Sequence, residues 1–368
     1  MKILMVLPFL KAGGTERQAS YIVNYLQHKG NHVRTLCIEK KGPFRDLFQV
    51  PIDYLNSINS NSRFLINIYL FLTYLRGKKI DFIISRAWST NILTGVVSII
   101  SRKPCILFLS GSIDLSEHSV LKKWIFMFVL KRCAWIISVS EASKKNCVKW
   151  LSIDPNKIVV IHNGVNLEWV AKMSEMRVDL PEGYDSDFKT ITFVGSLIHR
   201  KGVDVLLQSI KNVLQGKNLN VIIVGDGELR DNLESLSREL NINNHVFFVG
   251  EKVNPFPYMK LGCIFVLPSR AEGFPNVLLE AMALDNAVIA TDCKTGPIEI
   301  IDGSNGTLIP VDDAQTLTEA IMSYLEKPEL VKEHSFNAFK TLEKDFQLDH
   351  QLSKFKNLIQ GKIRDRPS

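Results

Sequence analysis

The amino-acid sequence predicts an α/β protein made of two doubly wound domains in tandem, and three observations carry that reading. At 368 residues the chain is longer than one hydrophobic core usually serves. Short apolar runs alternate with segments of 3.6-residue periodicity along both halves, the pattern of a parallel sheet covered by helices on its two faces. The alternation lapses once, at "AKMSEMRVDLPEGYDSDFK" (171–189), which is polar, holds Pro and Gly and has no sustained period. Such a stretch reads as a linker.

In the first domain (1–170), "KILMVL", "HVRTLCI", "DFIIS", "CILFL", "WIISVS" and "KIVVI" read as strands. In the second (190–345), "TITFVGS", "NVIIVG", "HVFFVG", "CIFVLP" and "AVIAT" do the same. The chain from about Asp312 reads as helices, the last of them, at about 346–368, expected to pack back on the first domain. Ligands of such folds bind at the carboxyl ends of the strands, and here also in the cleft expected between the domains.

Composition is that of an ordinary globular protein, with 46% apolar and 23% charged residues, which argues against disorder. The net charge of +7 is unevenly spread: residues 1–170 carry 23 Lys+Arg against 10 Asp+Glu, whereas the remainder is acidic. The basic half suits an anionic partner such as a membrane surface, or is simply solvated lysine. Basic residues are not interleaved with exposed aromatics in a stripe, so nucleic acid is not expected as a partner. Six scattered cysteines without a C-x-x-C pair read as reduced thiols of a cytoplasmic protein.

The apolar start, Met1 to Leu10, runs into a Gly-Gly turn and reads as a first strand rather than a signal peptide. No apolar stretch reaches the roughly 20 residues of a membrane span. "LKKWIFMFVLKRCAW" (121–135), with Trp124, Phe126 and Phe128 among lysines, suits either a membrane interface or core packing with exposed cations. The expected location is the cytoplasm, with peripheral contact on the inner face of the membrane left open.

Three turns at strand ends of the second domain have chemical content. In "FVGSLIHRKGVDVLL", Gly195 follows a strand and Arg200 and Lys201 precede a helix; two cations beside unpaired helix N–H groups make an anion site. In "IIVGDGELRDNL", Gly225 and Gly227 form half of a dinucleotide fingerprint, which by itself indicates a tight turn. In "SRAEGFPNVLLEAMA", Glu272 lies in a loop and Glu280 on a helix expected to begin near Phe274 or Pro275, because proline suits a first helical turn. Backbone amides of Asn276 and Val277 would then be free to meet a ligand. A carboxylate accepts two hydrogen bonds in parallel and suits a vicinal diol. In the first domain, Gly13 and Gly14 of "KAGGTERQ" permit close approach of a ligand to the backbone.

The set "GGTERQ", "FVGSLIHRKGVD", "VGDGEL", "FVG" and "SRAEGFPNVLLEAMA", in this order and at these spacings, resembles the retaining glycosyltransferases of family 4, which have the two-domain GT-B fold. The resemblance covers nearly the whole chain. It implies that Arg200 and Lys201 bind the donor diphosphate and stabilise the leaving nucleotide, and that Gly14 and Gly195 bring backbone close to the donor. Glu280 would hold the ribose. Glu272, with the backbone of Gly273, Phe274, Pro275, Asn276 and Val277, would hold the transferred sugar, and the base would lie near Lys252. Arg200, Lys201 and Glu272 are thus the expected catalytic residues.

The resemblance further implies transfer of a hexose or N-acetylhexosamine from a nucleotide sugar, UDP-linked by preference, to a lipid-linked oligosaccharide or a lipopolysaccharide, O-antigen or capsule precursor. Neither cofactor nor metal is implied. "DSD" (185–187) has a metal-binding form but lies in the linker. One departure stands out: many relatives carry a histidine where this chain has "LFLSGSID", leaving Ser110 and Gly111 as candidate acceptor contacts. Arg86 in "ISRAWSTN" either meets an acceptor phosphate or pairs with an acid. The alternatives are a GDP-mannose-dependent mannosyltransferase, a GT-B sugar-nucleotide epimerase and a non-catalytic nucleotide-sugar-binding protein.

Overall fold

A computed structural model describes residues 1–55, 63–109 and 120–364, with side chains omitted at 120–122 and 361–364. The chain divides into two compact units, one formed by Met1–Asn163 with the chain from Gln351 on, the other by Gly164–His350.

The first unit contains β1 (Lys2–Leu7), α1 (Gly14–His28), β2 (His32–Cys37), β3 (Ile52–Tyr54), α2 (Arg63–Leu75), β4 (Phe82–Ser85) and α3 (Trp88–Ser101). It continues with β5 (Cys105–Leu109), α4 (Val120–Arg132), β6 (Trp135–Ser138), α5 (Glu141–Leu151) and β7 (Ile158–Val160). The seven strands lie in the order β3-β2-β1-β4-β5-β6-β7 and pair in parallel. β1, β4 and β5 are buried almost throughout, as expected of strands covered on both faces. The order reverses between β1 and β4, so loops leaving these neighbours diverge and open a crevice at their carboxyl ends.

The second unit contains α6 (Leu167–Ser174), β8 (Lys189–Val194), α7 (Val203–Val213), β9 (Leu219–Val224), α8 (Arg230–Glu239), β10 (Val246–Gly250) and α9 (Phe256–Leu261). There follow β11 (Ile264–Leu267), α10 (Asn276–Met282), β12 (Ala287–Thr291), β13 (Thr307–Ile309), α11 (Ala314–Glu326) and α12 (Pro328–Asp345). Its six strands, also parallel, run β10-β9-β8-β11-β12-β13, and the reversal falls between β8 and β11. The last helix, α13 (Leu348–Arg364), begins in this unit; from Gln351 on it belongs to the first, where Phe355 packs against Phe108 with ring centroids 5.7 Å apart.

Local chemistry explains several boundaries. The side chains of Ser140, Asn166 and Asp313 accept hydrogen bonds from the backbone N–H of Ser143, Trp169 and Thr316, capping α5, α6 and α11. By contrast α1 starts behind Gly13 with no side-chain cap, leaving its first N–H groups to other acceptors.

One boundary needs correction. The stretch expected to be linker contains the end of a helix, because Asn166 caps α6 and its apolar residues pack; the division between units falls at 163/164. In the same stretch, Asp185 accepts a hydrogen bond from the backbone N–H of Asp187 at 2.9 Å, so "DSD" forms a local turn. β3 and β13 escaped the sequence reading, since three residues at a sheet edge are too few to show a period.

Candidate active site

The site in the second unit is built at the reversal between β8 and β11. Gly195 follows β8, and its N–H donates to the Val224 carbonyl at 3.0 Å. The turn then carries Arg200 and Lys201 in a single 3-10 turn, His199–Lys201, and closes on Gly202 at φ +65°, in the left-handed region. A side chain at 202 would also collide with the Pro268 carbonyl. Glycine is therefore required by both conformation and space. Gly225 plays the supporting part: with φ +146°, it leaves room for the Gly195 carbonyl, and around this turn the Leu197 N–H donates to the Asp226 carbonyl at 2.9 Å while the Leu197 carbonyl accepts from the Leu229 N–H at 3.0 Å. The G-x-G pair shapes the loop that presents Arg200.

From the neighbouring strand β11 comes Glu272, in the loop before α10. Its buried carboxylate accepts from Lys201 Nζ at 2.5 Å and from Ser269 Oγ at 2.6 Å through Oε1, and meets Arg200 Nη1 at 3.4 Å through Oε2. The Arg200 Nη1 also donates to the Ala271 carbonyl at 2.7 Å. Burial by itself pushes the Glu272 carboxyl up, but Lys201 and Arg200, with the Lys201 and Ser269 hydrogen bonds, outweigh it and hold the group below the usual carboxylate range. Glu272 is therefore an anion at neutral pH. It cannot serve as a general acid, and with its lowered pKa it is a poor base.

The loop carrying Glu272 is held from behind. The hydroxyls of Thr291 and Thr295 donate to the backbone carbonyls of Ser269 and Glu272. Arg270, to which the sequence reading assigned no role, ties this loop to the cationic turn. Its backbone N–H donates to the Arg200 carbonyl at 2.8 Å. Its guanidinium grips Asp204 of α7 with two bonds, 2.9 and 2.7 Å, reaches the His199 carbonyl at 2.6 Å and pairs with Asp312 at 2.7 Å. Such a forked geometry is specific to arginine. Arg270 and Asp204 both lie inside stretches quoted above, but no spacing rule links them.

α10 begins at Asn276, one residue later than the latest expected start, because Pro275 has ψ +93° and so stays outside the helical region. Glu280 is therefore its fifth residue, little more than one turn in, and is buried. Phe274 turns its side chain into the unit, where its ring lies 5.8 Å from that of Phe346. Gly273 lies in the same loop, and Val277 is the second residue of α10. Lys252 follows β10 and places Nζ 5.4 Å from the Tyr258 ring centroid.

The remaining candidates belong to the first unit. Gly14 is the first residue of α1. Arg86, directly after β4, is fully buried; Nη2 donates to Asn163 Oδ1 at 3.1 Å, and the guanidinium carbon lies 4.4 Å from the Phe108 ring centroid. Nε and Nη1 have no partner among the described residues. Burial lowers the Arg86 pKa to about 10, against the opposing field of Glu16. Glu16 is also buried, and burial raises its pKa despite its own backbone N–H and the attraction of Arg86. Ser110 and Gly111 lie outside the described residues. Among the described residues no cluster of three or more His, Cys, Asp or Glu side chains is arranged to hold a metal ion.

Comparison with known proteins gives this geometry a family. The model for glycosyl transferases group 1 matches residues 180–341, and that for glycosyltransferase family 4 matches residues 12–169. A Campylobacter jejuni N-acetylgalactosamine-N,N'-diacetylbacillosaminyl-diphospho-undecaprenol 4-alpha-N-acetylgalactosaminyltransferase is 28% identical over 66% of this chain and 63% of its own. An Escherichia coli UDP-Gal:alpha-D-GlcNAc-diphosphoundecaprenol alpha-1,3-galactosyltransferase is 26% identical over 87% of this chain and 86% of its own. The crystal structure of Anabaena HepE in complex with UDP-glucose superposes with a TM-score of 0.87 at 19% identity, over 98% of this chain and all of its own. Two tandem Rossmann-like units, two family models that together cover most of the chain and relatives that are glycosyltransferases place this chain in glycosyltransferase family 4, with the GT-B fold.

Proposed function

We propose that the protein is a retaining, metal-independent hexosyltransferase. It moves a hexose or N-acetylhexosamine from a UDP-sugar to a lipid-linked oligosaccharide or a lipopolysaccharide, O-antigen or capsule precursor, at the inner face of a membrane. The observation that carries the reading is the cluster of Arg200, Lys201 and Glu272 at the β8–β11 reversal, two cations held in place by one buried carboxylate. The two relatives named for diphospho-undecaprenol acceptors, and the UDP-galactose and UDP-glucose named with one relative and one structural neighbour, support the choice of acceptor and donor.

In this reading the donor diphosphate binds Lys201 and Arg200, which meet the negative charge that grows on the leaving oxygen. The acceptor hydroxyl attacks the anomeric carbon on the face the nucleotide leaves. The carbon–oxygen bond to the β-phosphate breaks, the new glycosidic bond forms, and the departing phosphate oxygen takes the hydroxyl proton. Glu272, an anion throughout, orients both cations and, with the backbone from Gly273 to Val277, contacts the sugar. Glu280 accepts from the ribose hydroxyls, the base lies near Lys252, and Gly195 and Gly14 allow close approach of backbone to the donor. Acceptor contacts fall to the first unit, with Ser110 and Gly111 as candidates by sequence; Arg86, fully buried and bonded to Asn163, keeps a structural role instead.

The test incubates the protein with UDP-sugars and a glycosyl diphospholipid and follows the anomeric proton by NMR. Transfer with retained configuration, unchanged by EDTA, is the expected result. Inversion, loss of activity on chelation restored by a divalent cation, or epimerised donor without acceptor would each reject a stated part.

A further inference from the structure

The first unit holds a cavity of about 580 Å³ that none of the roles above uses. Its walls are apolar: Phe9, directly after β1; Trp88, Ile92 and Leu93, on the first turns of α3 after β4; Phe64 on α2; and Ile125 on α4. The volume lies within the roughly 300–1,000 Å³ typical of ligand sites, and the strands it follows are the two that flank the reversal of this sheet.

Two observations indicate what belongs there. The side chain of Asn67 lines the cavity and is 7% exposed, yet its Oδ1 has no hydrogen-bond partner among the described residues. A buried amide oxygen without a donor costs stability, roughly 1–3 kcal/mol, and calls for a ligand N–H or O–H. The two helices that supply these walls also expose apolar side chains: Leu65 on α2 is 69% exposed and Trp124 on α4 is 63% exposed. Charged groups accompany them, with Arg63 paired to Glu39 on the lining and Arg132 stacked 3.7 Å from the ring centroid of half-exposed Phe128 on α4. A small apolar metabolite would need the cavity alone; helices that line it and also carry exposed apolar side chains, with a cation at Arg132 on α4, fit a hydrocarbon chain delivered from an anionic lipid surface.

We infer that this cavity seats the lipid portion of a glycolipid acceptor, with hydrocarbon against Trp88, Phe64 and Ile125 and a hydroxyl or amide N–H of the head group donating to Asn67. The inference rests on the acceptor class proposed above, but its test needs no sugar transfer.

Binding is followed by tryptophan fluorescence and calorimetry on the full chain with four probes below their micelle-forming concentrations: farnesyl phosphate, octyl glucoside, glucose and inorganic phosphate. The first two should bind saturably with one site per chain, and the last two should not bind at this site. Ile125→Trp, which fills the cavity, and Phe64→Ser, at a half-exposed position where folding is not at stake, should each weaken both chain-bearing probes about tenfold or more. Asn67→Leu should weaken octyl glucoside several-fold and leave farnesyl phosphate unchanged. Farnesyl phosphate and octyl glucoside also separate an isoprenoid from a straight chain as the preferred hydrocarbon.

UDP binding, a property assigned to the other unit, should persist in all three variants and controls for folding. No saturable binding of either chain-bearing probe overturns the inference. So does unchanged affinity in both Ile125→Trp and Phe64→Ser, or a change of oligomeric state in Phe64→Ser that shows the face to be covered by a second copy. Chain binding without glycosyl transfer would leave this site standing and reject the acceptor reading. Equal transfer to long- and short-chain acceptors by wild type and variants would do the reverse.

Discussion

The two sheets share one topology but use their reversals for opposite chemistry. Between β8 and β11 a buried glutamate faces two cations of which one, Arg200, is 44% exposed at its side chain, and the carboxyl is held low. Between β1 and β4 a buried glutamate faces one fully buried arginine, and burial raises the acid and lowers the base. Pairing wins in the first case and desolvation in the second, because two cations and a serine hydroxyl converge on Glu272 while Nε and Nη1 of Arg86 have no partner among the described residues. A reversal at the strand ends therefore supplies a place for a ligand, and the number of converging charges decides whether it becomes a settled anion site or a strained polar pair.

The largest test of this contrast is Lys201→Ala. It removes the cation bonded to Glu272 and is expected to lower kcat about 10²–10³-fold, the usual cost of losing one preorganised donor to a developing anion, measured as turnover at saturating donor. Glu280→Ala comes next. Loss of hydrogen bonds from ribose to a carboxylate should raise the donor KM about 10–100-fold, following roughly 1.5–3 kcal/mol for bonds to a charged group, with kcat less affected.

Arg270→Ala sharpens the comparison further, since the forked pair of the first unit, Arg34 on Asp53, joins β2 to β3 and not the loops at its reversal. Freeing the Arg200 turn from Asp204 should cost about tenfold or more in kcat, consistent with the effect of small misplacements. Arg270→Lys, which cannot make the two-point grip, should recover only part of it. Equal activity of the alanine variant and wild type would show that the turn is held without it.

The smallest effects are in stability, and there the sign is the readout. The lowered Glu272 carboxyl gives stability that is present above the unfolded value near 4.5 and is lost as pH falls through the folded pKa. The advantage of wild type over Glu272→Gln should thus grow from acid to neutral pH. The raised Glu16 carboxyl gives stability present below about 4.5 and lost as pH rises through its folded pKa, so the advantage over Glu16→Gln should shrink across the same range. Thermal melts of both variants between pH 4 and 7 check the opposed slopes.

What the sequence by itself determined was local. Buried strands such as "KILMVL" and "CIFVLP" announce themselves by composition, helix boundaries by caps such as Asn166 and Asp313, and the cationic turn by Gly195, Arg200, Lys201 and Gly202 in succession. The motif spacing carried the family. The short edge strands β3 and β13 were not legible, and neither was the start of α10, which depends on the backbone angle of Pro275.

Only the tertiary structure decided which loops meet. β8 and β11 are neighbours although β9 and β10 lie between them in sequence, and that crossover brings Lys201 to Glu272 and Arg270 to Asp204. The charge of a carboxylate follows from the groups that converge on it and from its access to water. Both are set by strand order and packing, for which the local sequence around Glu16 or Glu272 carries no signal.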